Sequence, residues 1–206
     1  MLLQIHPENP NPRYIKTIIE CLKDGGIIIY PTDTVYGLGC DIYKAKAVER
    51  ICKIKNVKPE KNNFSLLFND FSHLSEFTKQ VDNTTFKVMR KVLPGPFTFI
   101  LEANSNVPKI FKGNKKTIGI RIPDNKICHT IIKELGNPIM STSIKDDDEI
   151  IEYTTDPELI HEKFEHLVDI VIDGGYGNIH PSTVVDCSNG EFEIIRQGAG
   201  ILDGVV

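Results

Sequence analysis

The chain lacks several things that would place it quickly. Its 206 residues contain no unbroken apolar run near membrane-spanning length, so no helical membrane anchor is expected. The opening residues, Met1-Leu2-Leu3-Gln4-Ile5-His6-Pro7, have no basic segment followed by a long apolar core. A secretory leader is therefore not expected, and a cytoplasmic location is. Cysteine is sparse: Cys21, Cys40, Cys52, Cys128 and Cys187 are scattered, odd in number and without a C-x-x-C pair. That pattern argues against a disulfide framework and against a zinc site, and it predicts idle thiols in a reducing compartment. The six histidines lack ligand spacing; His161 and His166, five apart on a predicted helix, do not share a face. The common nucleotide motifs are missing as well. There is no G-x-x-x-x-G-K followed by Ser or Thr, and Gly37-x-Gly39 lacks the third glycine of a dinucleotide fingerprint. No G-x-S-x-G elbow marks a hydrolase. If this chain binds ATP, it does so with another architecture.

The net charge of −4 argues against a generic polyanion binder. Local charge carries more information. Lys109, Lys112, Lys115, Lys116, Arg121 and Lys126 form a basic stretch, and Asp146, Asp147, Asp148, Glu149 and Glu152 form an acidic run soon after. The acidic run reads as a solvated face. The basic stretch fits either a solvated face or a phosphate-bearing ligand, because clustered cations raise the local concentration of anions.

Strand and helix patterns alternate along the chain. Helices are predicted over Tyr14–Asp24, Lys44–Lys55, Phe71–Thr78, Asn83–Val92, Ile127–Leu135 and from Asp156 to Phe164. Strands are predicted at Ile27–Tyr30, Ser65–Phe68, Phe97–Glu102, Thr117–Ile122, Ile139–Ser143, Val168–Ile172, Thr183–Cys187 and Glu193–Arg196. This is an α/β pattern with a mixed, twisted sheet, and its irregular order disfavours a simple doubly wound fold. At this length one domain, with no second domain, is the economical expectation.

The chemistry-bearing residues leave the ends of these strands. Tyr30-Pro31-Thr32-Asp33-Thr34-Val35-Tyr36-Gly37-Leu38-Gly39 crowds two hydroxyls, a carboxylate and two glycines into what reads as a loop at a strand's carboxyl end. Open α/β sheets bind ligands in such places. Arg121, between Ile120 and Ile122, fits bidentate pairing with a carboxylate or phosphate, or a salt bridge to Asp33 or Asp124. Ser141, Thr142 and Ser143 leave a buried strand, where their hydroxyls suit either phosphate oxygens or a serine-rich turn. Ser182 and Thr183, at a strand entry, carry the same two readings. Arg196 ends a strand and is read as either a ligand contact or a surface ion pair.

The Tyr30–Gly39 run is followed by Leu93-Pro94-Gly95-Pro96-Phe97-Thr98, Thr117-Ile118-Gly119-Ile120-Arg121-Ile122-Pro123 and His180-Pro181-Ser182-Thr183-Val184-Val185-Asp186. In that order these segments resemble the YrdC/YciO family of threonylcarbamoyl-AMP synthases and their relatives, from about Pro12 to about Gly198. The resemblance implies a single YrdC-like domain with a large concave basic pocket. It implies ATP, with Mg²⁺, L-threonine and bicarbonate as small-molecule substrates, and tRNA modification as the setting. By that likeness Thr34, Arg121, Ser141 and Ser182 contact threonine. Lys55, Asn62, Thr117, Ser143 and Arg196 contact the nucleotide, and Arg121, Lys55 and Lys58 carry the catalytic charge.

Two departures point toward the YciO branch. Synthases of this family carry lysine, any residue, then arginine. Here Lys55-Asn56-Val57-Lys58 puts valine at the arginine's place, or Lys58 replaces it across an insertion. Synthases also carry Ser-Ala-Asn where this chain has Ser143-Ile144-Lys145. Two other readings therefore stand beside the synthase. One is a non-enzymatic module binding double-stranded RNA through Lys109, Lys112, Lys115 and Lys116. The other is adenylation, or hydrolysis of an adenylate, with a different substrate.

Overall fold

A computed structural model describes residues 1–112, 115–144 and 152–204. Ten strands form one mixed sheet: β1 (Leu2–Gln4), β2 (Ile28–Tyr30), β3 (Gly37–Asp41), β4 (Ser65–Leu67), β5 (Phe97–Glu102), β6 (Thr117–Arg121), β7 (Ile139–Ser143), β8 (Ile170–Asp173), β9 (Thr183–Asp186) and β10 (Glu193–Arg196). Their spatial order is β1-β8-β2-β3-β7-β4-β6-β5-β9-β10. The helices are α1 (Pro12–Lys23), α2 (Ala45–Ile54), α3 (Asn83–Val92), α4 (Lys109–Lys112), α5 (Lys126–Leu135), α6 (Glu152–Thr155) and α7 (Pro157–Phe164). The α/β architecture with a mixed sheet is as the sequence implied.

Local chemistry explains the helix starts. Asn11, Asp82, Asn125 and Asp156 each cap a helix through the side chain, and proline opens α1 and α7. Gly136, at φ 83°, closes α5 in a left-handed conformation that a side chain would resist.

The two faces of the sheet are sorted by the period-2 alternation of its strands. Ile27, Ile29, Leu38, Cys40, Leu66, Phe99, Ile118, Ile120 and Met140 pack with α2, α3 and α7 in one core. Ile28, Tyr30, Leu67, Ile139, Ile170 and Ile172 pack on the other face with the apolar stripes of α1 and α5. Helices α1 and α5 sit against each other over that second face. Most of its remaining residues in the central strands are small, Gly37 in β3, Ser65 in β4, Thr98 in β5, Thr117 and Gly119 in β6, Ser141 and Ser143 in β7, with Ile100 of β5 and Arg121 of β6 among the larger ones. The small side chains cannot build an apolar layer for a helix to cover, and the face stays open there.

Several expectations need correction. Phe71–Thr78 is not a helix; only a 3-10 turn at Leu74–Glu76 forms. Asp70 binds the amide of Ser72, and Thr78 bridges to Ala103, so both ends are held in non-helical conformations. Gly37 and Gly39 are not in a loop but in β3, between β2 and β7. Strand β8 starts at Ile170 rather than Val168, because the amides of Leu167 and Val168 still bond back to Phe164. Strand β1, which pairs with β8, and helices α4 and α6 were not anticipated. Lys145 and the acidic residues 146–149 lie outside the described residues, as do the side chains of Lys112 and Glu152.

Candidate functional site

Over the open half of the second face lies a cavity of about 590 Å³. Its floor is the run of small residues just named, which the sheet register brings side by side. Ser65 pairs with Gly119 on one side and with Ser141 on the other. Gly37 pairs with Ser143, and Glu102 with Thr117. A Cβ on Gly119 would lie 2.6 Å from Ser65 Oγ, so the floor is as low there as a peptide allows. Val35, Phe64, Phe111, Val184 and Ile195 supply apolar walls.

Among the described residues three charged side chains line the cavity, Lys115, Arg121 and Arg196, and all are cations. Arg121 ends β6 and is 8% exposed. Its Nη2 donates to Asp33 Oδ1 at 2.5 Å, to Thr32 Oγ1 at 3.2 Å and to Thr34 Oγ1. Both expected readings of Arg121 thus coexist: it pairs with Asp33 and it faces the cavity. Its Nε is buried and has no hydrogen-bond partner among the described residues. Such a donor is costly to leave unsatisfied. Arg196 donates from Nε and Nη2 to the Ser182 carbonyl at 3.2 and 2.8 Å, and from Nη2 to Ser182 Oγ at 3.3 Å. Partial burial, together with the charge of Arg121, pulls its pKa below the ordinary value. Lys115 bonds to the Asn62 carbonyl and, at 2.6 Å, to Asn63 Oδ1; partial burial lowers its pKa too. Two of the three cations therefore have only neutral partners.

The expected site residues divide into groups. Arg121, Ser141, Ser182, Asn62, Thr117, Ser143 and Arg196 line the same cavity. Thr34 does not; it is fully buried, with its hydroxyl turned to Thr32 and Arg121. Lys55 caps the end of α2 and Lys58 is exposed before the 59–61 turn, and neither belongs to the lining. Asn62 is largely structural: its amide nitrogen donates to the carbonyls of Pro59 and Phe111, and its oxygen accepts from the Phe64 amide. Sequence reasoning gave Lys115 only as part of a basic stretch, either a solvated face or a contact to a phosphate-bearing ligand, and overlooked Ser65, Thr98 and Asn63. For the floor, alternation of small with large apolar residues in Thr117-Ile118-Gly119-Ile120 was the available signal.

Among the described residues no lining side chain is a carboxylate, and Asp33 is already paired, so these residues offer Mg²⁺ no ready ligand set. Among the described residues no three His, Cys, Asp or Glu side chains cluster to hold a metal. The thiols are inert by environment: burial raises the pKa values of Cys40 and Cys128, and Cys128 Sγ donates to the Pro31 carbonyl at 3.0 Å. No helix among the described residues is long and apolar enough to cross a membrane.

The Sua5/YciO/YrdC family model, described as "Telomere recombination", matches residues 20–198. The chain belongs to this family. YciO of Escherichia coli, an uncharacterised protein, is 41% identical over 95% of this chain and 94% of its own. The crystal structure of that YciO superposes with a TM-score of 0.91, covering 100% of this chain and 99% of the other. A threonylcarbamoyl-AMP synthase of Coxiella burnetii is 29% identical over 86% of this chain and 94% of its own. Sua5 of P. abyssi, solved with L-threonine, is 25% identical with a TM-score of 0.86, covering 96% of this chain and 57% of Sua5. Identity is thus higher to YciO than to the synthases.

Proposed function

We propose that the cavity binds L-threonine and ATP and that the chain forms threonylcarbamoyl-AMP from them with bicarbonate. The observation that carries this reading is a hydroxyl-rich floor under a cavity whose charged lining, among the described residues, is cationic. Its volume falls in the range of small-molecule sites. The L-threonine held by the P. abyssi relative and the synthase relative of Coxiella burnetii support the choice of substrates.

The chemistry needs such a lining. The amine of threonine takes up the carbon of bicarbonate, water leaves, and a carbamate anion forms. A carbamate oxygen then attacks the α-phosphorus of ATP; the bond from that phosphorus to the bridging oxygen breaks, and pyrophosphate leaves. Two anions must approach each other, and they repel unless cations lie between them. Arg121 receives the threonine carboxylate on the part of its guanidinium that lines the cavity. Asp33, Thr32 and Thr34 hold its other end, so Thr34 acts by fixing the guanidinium. Arg196 and Lys115 neutralise phosphate oxygens. Lys115 takes the charge-supplying part that the sequence assigned to Lys55 and Lys58. Ser141, Ser143 and Ser182 donate hydrogen bonds to anionic oxygens, and Thr117 bounds the nucleotide. No covalent nucleophile is needed, since holding the reactants in position supplies much of the rate.

The test is product formation from ATP, bicarbonate, L-threonine and Mg²⁺, following pyrophosphate and threonylcarbamoyl-AMP together. Both are expected, and each should require threonine and bicarbonate. ATP binding without either product would redirect the pocket to another substrate or to hydrolysis of an adenylate.

One observation favours an RNA contact as a second reading. Helix α4 packs beside the end of α2 and the 59–61 turn, so two lysine-rich segments distant in sequence converge. Lys58, Lys61, Lys109 and Lys116 are all exposed there. If RNA binds this patch, log affinity falls linearly with log salt. Lys109→Ala with Lys116→Ala should then reduce the slope by roughly 1.8 for a duplex. This variant leaves Lys115 in the cavity. An unchanged slope would remove the patch from any RNA interface.

A further inference from the structure

Tyr30 ends β2 and is 1% exposed. Its side chain points to the same face as the cavity floor, where Tyr30 pairs with Gly37 and Ile28 with Gly39. The ring lies flat over both glycines. A Cβ on Gly37 would sit 2.9 Å from the ring Cζ, and one on Gly39 would sit 3.0 Å from Cε1. Beyond β3 the phenol donates to Ser141 Oγ in β7, at 2.6 Å. The side chain thus crosses a whole strand to reach Ser141, which faces Gly39 across the β3–β7 pair. Any side chain at position 37 or 39 would block that path.

The bond has a direction. Burial raises the pKa of Tyr30 far above the ordinary phenol value, so the group remains a protonated donor at any working pH. Ser141 Oγ accepts, and among the described residues Ser141 makes no other side-chain hydrogen bond. One of its lone pairs is then fixed, and its own O–H is confined to the remaining directions. No acceptor among the described residues takes that O–H, and the open side of Ser141 is the cavity it lines.

We infer that Tyr30 is a positioning residue of this site. Through Ser141 it holds a hydroxyl donor turned toward an anionic oxygen of the ligand, and Gly37-x-Gly39 is the slot for its ring. The inference rests on the reading that the cavity takes threonine and ATP. It gives the two glycines the task of seating that ring.

The experiment is a double-mutant cycle with a ligand-free control. Wild type, Tyr30→Phe, Ser141→Ala and the double variant are titrated calorimetrically with L-threonine and with ATP. The ligand-free crystal structure of Tyr30→Phe is solved in parallel. Phenylalanine keeps the ring in its slot and removes only the donor. Tyr30→Phe should weaken one ligand about three- to tenfold, the worth of one hydrogen bond. It should cause no further loss when Ser141 is already alanine. In the crystal, Ser141 Oγ should leave its single position. Equal losses in both backgrounds would show that Tyr30 acts through the fold and would overturn the inference. So would unchanged affinity for both ligands, or an unmoved Ser141 Oγ. If wild type binds neither ligand, the threonine and ATP reading fails separately. The ligand-free structure then decides the inference alone: a displaced Ser141 hydroxyl supports it and an unmoved one overturns it.

Discussion

Arg121→Ala is expected to abolish threonine-dependent turnover and to destabilise the fold at once. The guanidinium and the Asp33 carboxylate are each 90% shielded from water, since their side chains are only 10% exposed. Removing one partner strands the other charge, and broken buried pairs cost about 3–5 kcal/mol. A loss of activity alone would therefore be ambiguous. Adding Asp33→Asn removes the stranded charge and should restore much of the melting temperature. Turnover should stay at least about 100-fold down, because the substrate carboxylate still lacks its bidentate partner. If Arg121→Ala with Asp33→Asn turns over near the wild-type rate, Arg121 has no part in the chemistry.

The second large effect is on stability. A Cβ at Gly39 would lie 2.5 Å from the Met140 carbonyl oxygen, 2.9 Å from Ile139 Cγ2 and 3.0 Å from the Tyr30 ring. The carbonyl belongs to backbone in the adjacent strand β7 and cannot yield without disturbing the pairing of β3 with β7. Gly39→Ala should cost about 3 kcal/mol, the upper end of ordinary overpacking. For a chain of this size that is a fall of roughly 6–12 °C in melting temperature. Gly136→Ala is the comparison: nothing lies within 4 Å of its added Cβ, and only its φ of 83° resists. Its cost should be nearer 1 kcal/mol. A Gly39→Ala melting temperature within 2 °C of wild type would show that β3 shifts freely, contrary to the packing described.

How far the sequence disclosed this molecule depended on the range of the interactions. Helix α1 was legible because Ile15, Ile18, Ile19 and Leu22 repeat at helical spacing and are all buried. Helix α3 was legible because Asp82 caps it. Both signals are local. Gly37-Leu38-Gly39 looked like a loop because glycine resists the extended state in general. What favours β3 there is the Tyr30 ring, a constraint from the neighbouring strand. The segment Phe71–Thr78 carried apolar residues at helical spacing. Its Thr78 bridge to Ala103 lies beyond any local window. The site behaved likewise. Arg121, Ser141, Ser182 and Arg196 were found from strand-end positions and family likeness. Lys115 was not singled out from its basic stretch, because its turn toward Asn62 and Asn63 depends on residues more than fifty positions away.

The distances in sequence across the cavity have a consequence for how the protein is made. Tyr30 meets Ser141 across 111 residues, Arg121 meets Asp33 across 88, and Thr98 meets Ser182 across 84. Contacts of such separation form slowly, because the chain must close large loops before they reward it. During synthesis the floor stays incomplete until β9 has emerged to lie against β5. No early fragment of the chain carries the finished cavity. Ligand held there fastens the first third of the polypeptide to its last quarter. It should therefore retard opening of the sheet as a whole and register in global protection from amide exchange, not only in the amides beside the site.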